Sequence, residues 1–161
     1  MDGLAPPLEP AIIVGSGVLP PGVVTAIQKV FAGGLEGVVL FGSLARGDVW
    51  LNSDADLLLV LNEQATVSRG LYELWDERLE PCFRDLPRRI APHFARLPAA
   101  GGQAGSIWLE AALDGVVLVD PRLKVSGTLR ELRGEILAGR VVRRTMHGRP
   151  YWIHAEPGEA A

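Results

Sequence analysis

The sequence predicts an α/β (α+β) fold with a hairpin at its C-terminal end. Short apolar runs bounded by glycine or polar residues predict buried strands, and apolar side chains at spacings of three and four predict amphipathic helices. The two kinds of segment alternate along the chain, and no internal repeat interrupts the order. At 161 residues the chain is long enough to bury one hydrophobic core.

Each predicted element rests on a local pattern. Gly33-Gly34 ends the first helical pattern, and Pro92 restricts its strand to a sheet edge or a bulge. In chain order the sequence predicts a helix over 23–31, a strand over Gly37–Phe41, a turn and short helix from Gly42, a strand over Ala55–Leu61, a helix over Thr66–Leu79, a strand over Arg88–Leu97, a helix over Ser106–Leu113, a strand over Val116–Val119, a helix over Leu123–Ala138 and a hairpin within Arg140–His154.

The first twenty residues differ in character from the rest. Pro6, Pro7 and Pro10 predict a loose arm or an extended edge cover, because proline lacks the backbone donor that helices and sheets need. We therefore expect an N-terminal arm over 1–20 and a single domain over 21–161.

Composition excludes several classes of protein. With 16 basic and 19 acidic side chains the net charge is −3, so nucleic acid is not an expected partner. The one cysteine, Cys82, excludes an intramolecular disulfide and a cysteine-rich zinc site, and it fits a reducing compartment. No signal-peptide pattern and no apolar run of about 20 residues is present. We expect a soluble, cytoplasmic protein with no membrane association.

The segment between the first two strands carries the chemistry. Gly42-Ser43 leaves a buried strand and opens a helix, so backbone amides can approach a phosphate closely. Asp54 and Asp56 stand two apart at the start of the next strand, and the strand period points both carboxylates to one face. Carboxylates beside a phosphate-binding turn suit Mg²⁺, which prefers oxygen ligands and substrate phosphates.

Together these residues resemble a known family. Gly42-Ser43, ten intervening residues and Asp54-Ala55-Asp56 followed by a strand resemble the signature of the DNA polymerase beta-like nucleotidyltransferase superfamily. The fuller strings Gly42-Ser-Leu-Ala-Arg46-Gly47 and Ser53-Asp-Ala-Asp-Leu57 are similar to its minimal nucleotidyltransferase branch. The resemblance is close over Val38–Leu61 and architectural beyond it.

The resemblance implies a fold, ligands and roles. It implies a nucleotidyltransferase fold with a mixed sheet of four to five strands and helices mainly on one face. It also implies that Gly42 and Ser43 bind a nucleoside triphosphate, with ATP expected first, and that Asp54 and Asp56 bind Mg²⁺ or Mn²⁺. Arg46 falls on the motif's arginine, which could contact phosphate or pair with a motif carboxylate. Ser53 could cap the turn and orient Asp54.

One part of the family's site is missing. Active members usually add a third carboxylate from a neighbouring strand, and Arg88–Leu97, the expected strand, contains no Asp or Glu. His93 in this strand could act as a base, since imidazole titrates near neutral pH, or be an ordinary hydrogen-bonded residue. The other acidic candidates are Asp85, Glu110, Asp114 and Asp120.

The presence of two aspartates and the absence of a third carboxylate on the expected strand are compatible with two functions. The first is an enzyme that transfers a nucleoside monophosphate to a hydroxyl, with an antitoxin-like role and a partner protein of the all-helical HEPN type as the first expected acceptor and a small molecule as the second. The alternative is a degenerate module that binds nucleotide or a partner without turnover.

The aromatic residues of the tail and Trp50 each allow more than one interpretation. The tail interleaves arginines with Tyr151 and Trp152, which suits a charged hairpin or a protein interface better than single-stranded nucleic acid. Apolar tail strands could also support a homo-oligomer. Trp50 could line the nucleotide pocket or pack beneath it.

Overall fold

The computed structural model describes residues 12–14, 17–20, 22–47 and 53–155. Predictions that fall on the other residues, including the arm over Met1–Pro10 and the position of Trp50, lie outside this description. The elements are β1 (Ile12–Val14), β2 (Gly17–Leu19), α1 (Val23–Val30), β3 (Leu35–Phe41), α2 (Ser43–Arg46), β4 (Ala55–Leu61), α3 (Arg69–Arg78), α4 (Glu80–Phe83), β5 (Ile90–Arg96), α5 (Ser106–Asp114), β6 (Val116–Val119), α6 (Lys124–Leu137), β7 (Val141–Met146) and β8 (Arg149–His154).

A four-stranded mixed sheet forms the centre of the fold, with the strand order β5-β4-β3-β6. Strands β4 and β5 are parallel, whereas β3 runs antiparallel to both of its neighbours. This sheet confirms the predicted fold class. Pro92 lies in β5, an edge strand of this sheet, as the sequence predicts, and edge strands tolerate a missing backbone donor.

Helices pack on both faces of this sheet, so the expectation of helices mainly on one face is wrong. On the first face, α1, α3 and α4 pack against alternate strand residues such as Leu57 and Leu59. On the second face, α5 and α6 pack against the intervening residues Leu58 and Val60. The physical reason lies in β4, whose continuous apolar run needs cover on both sides.

The strand β3 approaches β6 and α6 too closely for a side chain at Gly37. An added Cβ there would lie 2.6 Å from the Val119 carbonyl oxygen and 2.7 Å from Val125 Cγ2. Glycine therefore allows α6 to pack directly on the second face of the sheet.

The helix predicted over Thr66–Leu79 is shorter, and a separate turn of helix follows it. Pro81 lies in the first turn of α4, where proline is tolerated because the first backbone donors of a helix have no partner inside it. The buried side chains Trp75 and Phe83 then bring α3 and α4 onto the same core.

Two hairpins flank the central sheet. Strands β1 and β2 pair within the segment expected as an arm. Strands β7 and β8 form the predicted C-terminal hairpin. Arg140 joins it to α6 through two hydrogen bonds to Glu135, of 2.7 and 2.8 Å, and these bonds lower the pKa of the Glu135 carboxyl. Among the described residues, no helix is long and apolar enough to cross a bilayer.

Candidate active site

The Gly42-Ser43 turn and Asp56 meet where β3 ends and β4 begins. Phe41 pairs with Asp56 across the two strands, and Gly42 follows at once. Gly42 has φ +79°, and an added Cβ would lie 2.8 Å from Asp56 Oδ2. Both the backbone angle and this contact require glycine. The local fold therefore places the amide-rich turn directly against a carboxylate.

Asp54 and Asp56 both lie at the N-terminal end of β4, but their side chains have different neighbours. Asp56 alternates with Leu58 and Val60, so it belongs to the second face. Its side chain is 31% exposed. Asp54 immediately precedes β4, is 42% exposed and lies 3.6 Å from Arg89. Both carboxylates thus remain accessible to a ligand.

His93 lies beside Asp56. Its Nε2 atom is 3.0 Å from Asp56 Oδ1, and its ring packs edge-on against Phe41 with 5.3 Å between centroids. The parallel pairing of β4 with β5 produces this contact, because His93 pairs with Leu58, one strand period beyond Asp56. The structure brings together the two residues that the sequence could place only on separate strands.

Arg46 makes its described ion pair with Asp114, at 3.0 Å, rather than with Asp54 or Asp56. Ser43 begins α2, directly after the glycine. The described hydrogen bond at Ser53 involves its backbone carbonyl, which accepts from Arg88 at 3.3 Å. A capping role for the Ser53 hydroxyl therefore stays a prediction.

Of the four other acidic candidates, three bind groups other than Asp54 and Asp56, and the fourth lies after α4. Asp120 accepts hydrogen bonds from the first backbone amides of α6, and Glu110 binds Arg143 and Trp152. Asp114 holds Arg46, and Asp85 follows α4. Within the described ranges, no three His, Cys, Asp or Glu side chains lie close enough to share a metal ion. Asp56 with His93, and Asp54 beside Arg89, therefore lie at this end of β4 without forming a cluster of three metal ligands.

Comparison with known proteins identifies a family model that matches part of the chain. The family model described as "Polymerase beta, Nucleotidyltransferase" matches residues 26–86, a range that contains Gly42, Ser43, Asp54 and Asp56. Residues 26–86 therefore match the model of this nucleotidyltransferase family. The superfamily assignment from the sequence is thereby confirmed, whereas His93 and Asp114 lie beyond the matched range.

Solved structures add a comparison of the fold. A crystal structure of a toxin-antitoxin with AMP-PNP superposes with a TM-score of 0.51 at 14% identity, covering 74% of this chain and 88% of that chain. A mutant of the toxin-antitoxin MntA-HpeT gives a TM-score of 0.49 at 14% identity, covering 72% and 88%. No curated protein shows significant similarity to the chain.

Sequence reasoning missed two contacts of this nucleotidyltransferase segment. Arg89 lies next to Asp54, and Asp114 was considered as a third carboxylate rather than as the partner of Arg46. Arg89 directly precedes β5, so the parallel pairing of β5 with β4 could have indicated its position. The pairing of Arg46 with Asp114 spans 68 residues and carries no local signal.

Proposed function

We propose that the chain binds a nucleoside triphosphate, ATP first, with Mg²⁺ and transfers its nucleoside monophosphate to a hydroxyl. The observation that carries the proposal is the packing of Gly42 against Asp56 Oδ2, which joins a phosphate-binding turn to a metal-binding carboxylate. The family match over 26–86 supports the same reaction class. In this reaction the hydroxyl oxygen attacks the α-phosphorus, the bond to the β-phosphate oxygen breaks, and pyrophosphate leaves.

The residues present fit a magnesium ion. Asp54 and Asp56 offer accessible carboxylate oxygens, and Mg²⁺ commonly takes one or two carboxylates and completes its shell with phosphates and water. When bound, the ion would neutralise charge that develops on the phosphates. We assign these two aspartates as its ligands.

The remaining residues hold the substrate and move its proton. Gly42 and Ser43 offer backbone amides and a hydroxyl to the phosphates, and the absent Cβ of Gly42 permits close approach. His93 accepts the proton of the attacking hydroxyl on Nδ1, while Nε2–H donates to Asp56 Oδ1 and fixes the ring. In this assignment the histidine replaces the carboxylate that the family usually places on the neighbouring strand.

A partner protein is the proposed acceptor, with an antitoxin-like role in the minimal branch. One solved structure that shares this fold is a toxin-antitoxin with AMP-PNP. An all-helical HEPN-type protein is the partner we would test first, and a small-molecule hydroxyl is the second acceptor. The chain is expected to act in the cytoplasm.

The proposal is tested by measuring the transfer of label from ATP to a partner protein. We expect the protein, incubated with α-labelled ATP, Mg²⁺ and a co-purified HEPN-type partner, to place label on the partner, and EDTA to abolish it. GTP, CTP and UTP in parallel would establish the base preference. Protein that binds no nucleotide in the presence of Mg²⁺ would contradict the proposal.

The absence of a third carboxylate beside Asp54 and Asp56 favours a second candidate function. With two aspartates and no third carboxylate among the described neighbours, the chain could bind nucleotide or partner without turnover. Metal-dependent ATP binding with no labelled product from any acceptor would identify this module.

Replacement of His93 by Gln tests whether this residue is the general base of the transfer reaction. We expect transfer to slow by about 10²-fold, since general base catalysis contributes at least that factor, while ATP affinity stays within about twofold. Single-turnover rates and calorimetry would measure the two effects, with the exposed His154→Gln as control. Unchanged transfer would show that His93 only packs beside Asp56.

A further inference from the structure

Helix α5 holds two arginines on one side. Its residues Glu110 and Asp114 lie one helical turn apart, so they share a face. Asp114 binds Arg46 from α2 at 3.0 Å, and Glu110 binds Arg143 from the C-terminal hairpin at 3.0 and 3.3 Å. Guanidinium groups from two distant segments are thereby fixed on one helix.

The two arginines border the same pocket. Its volume is about 540 Å³, and it is lined by Arg46, Leu113, Asp114 and Arg143. The arginine side chains are 46% and 41% exposed, against 17% for Asp114 and 25% for Glu110. The guanidinium groups are therefore more open to solvent than the carboxylates that hold them, and a ligand would meet positive charge first.

This pocket lies on the β6 side of the phosphate-binding turn. Asp114 ends α5, and the next strand begins at Val116, which pairs with Leu40 of β3 just before Gly42. Asp56 lies on the other side of β3, in β4, and Asp54 immediately precedes that strand. A phosphate chain that begins at Asp56 and crosses the Gly42 turn would extend towards the arginines.

We propose that the pocket binds the terminal phosphates of the nucleoside triphosphate and that Arg143 contacts them directly. This assignment deepens the proposed function and rests on it for the orientation of the nucleotide. Arg143 uses Nε and Nη2 for Glu110, so Nη1 can donate to a phosphate oxygen. Arginine suits this role because its planar, permanently charged group matches phosphate geometry.

Glu110 acts as a positioning residue for this contact. It holds Arg143 with two hydrogen bonds, and its Oε1 atom also accepts a bond of 2.9 Å from Trp152 Nε1. The guanidinium is thus oriented before a ligand arrives, which reduces the entropy lost on binding. The hairpin, residues 140–155, contains four arginines and no Asp or Glu, which favours an anionic ligand.

Calorimetry with three probes tests the proposal. Inorganic tripolyphosphate without metal probes the pocket, ATP with Mg²⁺ probes the whole site, and AMP lacks the terminal phosphates. We expect Arg143→Ala to weaken tripolyphosphate and ATP binding about tenfold, since a charged hydrogen bond is lost, and to leave AMP within about twofold. The matched control is Arg144→Ala, on the other face of the same strand, which should change none of the three.

Each result decides the assignment. Equal losses for Arg143→Ala and Arg144→Ala, or unchanged tripolyphosphate binding by Arg143→Ala, would overturn it. If the alanine variant does not fold, Arg143→Lys decides in the same way through weaker or unchanged tripolyphosphate binding. If tripolyphosphate binding depends on Arg143 but ATP does not bind, the pocket assignment stands and the nucleotidyltransferase proposal is refuted. If ATP binds equally well with and without Arg143, the nucleotidyltransferase proposal stands and the pocket assignment is refuted.

Discussion

Replacement of Asp56 by Asn is expected to reduce nucleotidyl transfer by about 10³-fold, equivalent to about 4 kcal/mol in the barrier. Asn keeps the size of the side chain but removes the negative charge that Mg²⁺ requires. Asp56 also contacts His93 and Gly42, so one change affects the proposed metal ligand and the two groups beside it. Initial rates with labelled ATP and calorimetry with and without Mg²⁺ would measure the loss.

The exposed Asp76→Asn on α3 is the control, because it removes the same charge away from the site. It should leave rate and affinity unchanged. If the Asp56→Asn variant transfers at the wild-type rate, Asp56 is not a metal ligand. If ATP binding by the wild-type protein does not depend on Mg²⁺, the metal assignment is wrong for both aspartates.

Replacement of Leu129 by Ala is expected to lower the free energy of unfolding by about 2–5 kcal/mol, as buried leucine-to-alanine changes do. Leu129 is 1% exposed on α6 and packs on the second face of the sheet. Urea titration would give the change in stability, and thermal unfolding should show a decrease of roughly 10 °C.

The same helix supplies the control, since Leu137 is 88% exposed. Leu137→Ala should alter stability by less than about 0.5 kcal/mol. Similar effects at both positions would show that α6 does not bury Leu129 against the sheet, and the assignment of helices to both faces would be wrong.

Local pattern predicts the sequence of elements well. The strand β4 runs from Ala55 to Leu61 as predicted, because five consecutive apolar residues between polar ends leave little choice of structure. The same run already implies cover on both faces. The expectation of helices mainly on one face came from the family resemblance, and the packing of α5 and α6 corrects it.

Other features depend on distant parts of the chain. The pairs Asp56 with His93 and Glu110 with Arg143 join residues 37 and 33 positions apart. Periodicity reports which face of an element is apolar, but it does not report which element lies opposite. The sequence analysis does not predict the short helix α4, which has only four residues and carries Pro81 in its first turn.

The pairing of Phe41 with Asp56 makes strand register part of the chemistry. A shift of one residue in β4 would turn Asp56 from the second face to the first, away from His93, although every apolar residue of the strand could still be buried. Length changes within β3 or β4 should therefore abolish function in a protein that remains folded.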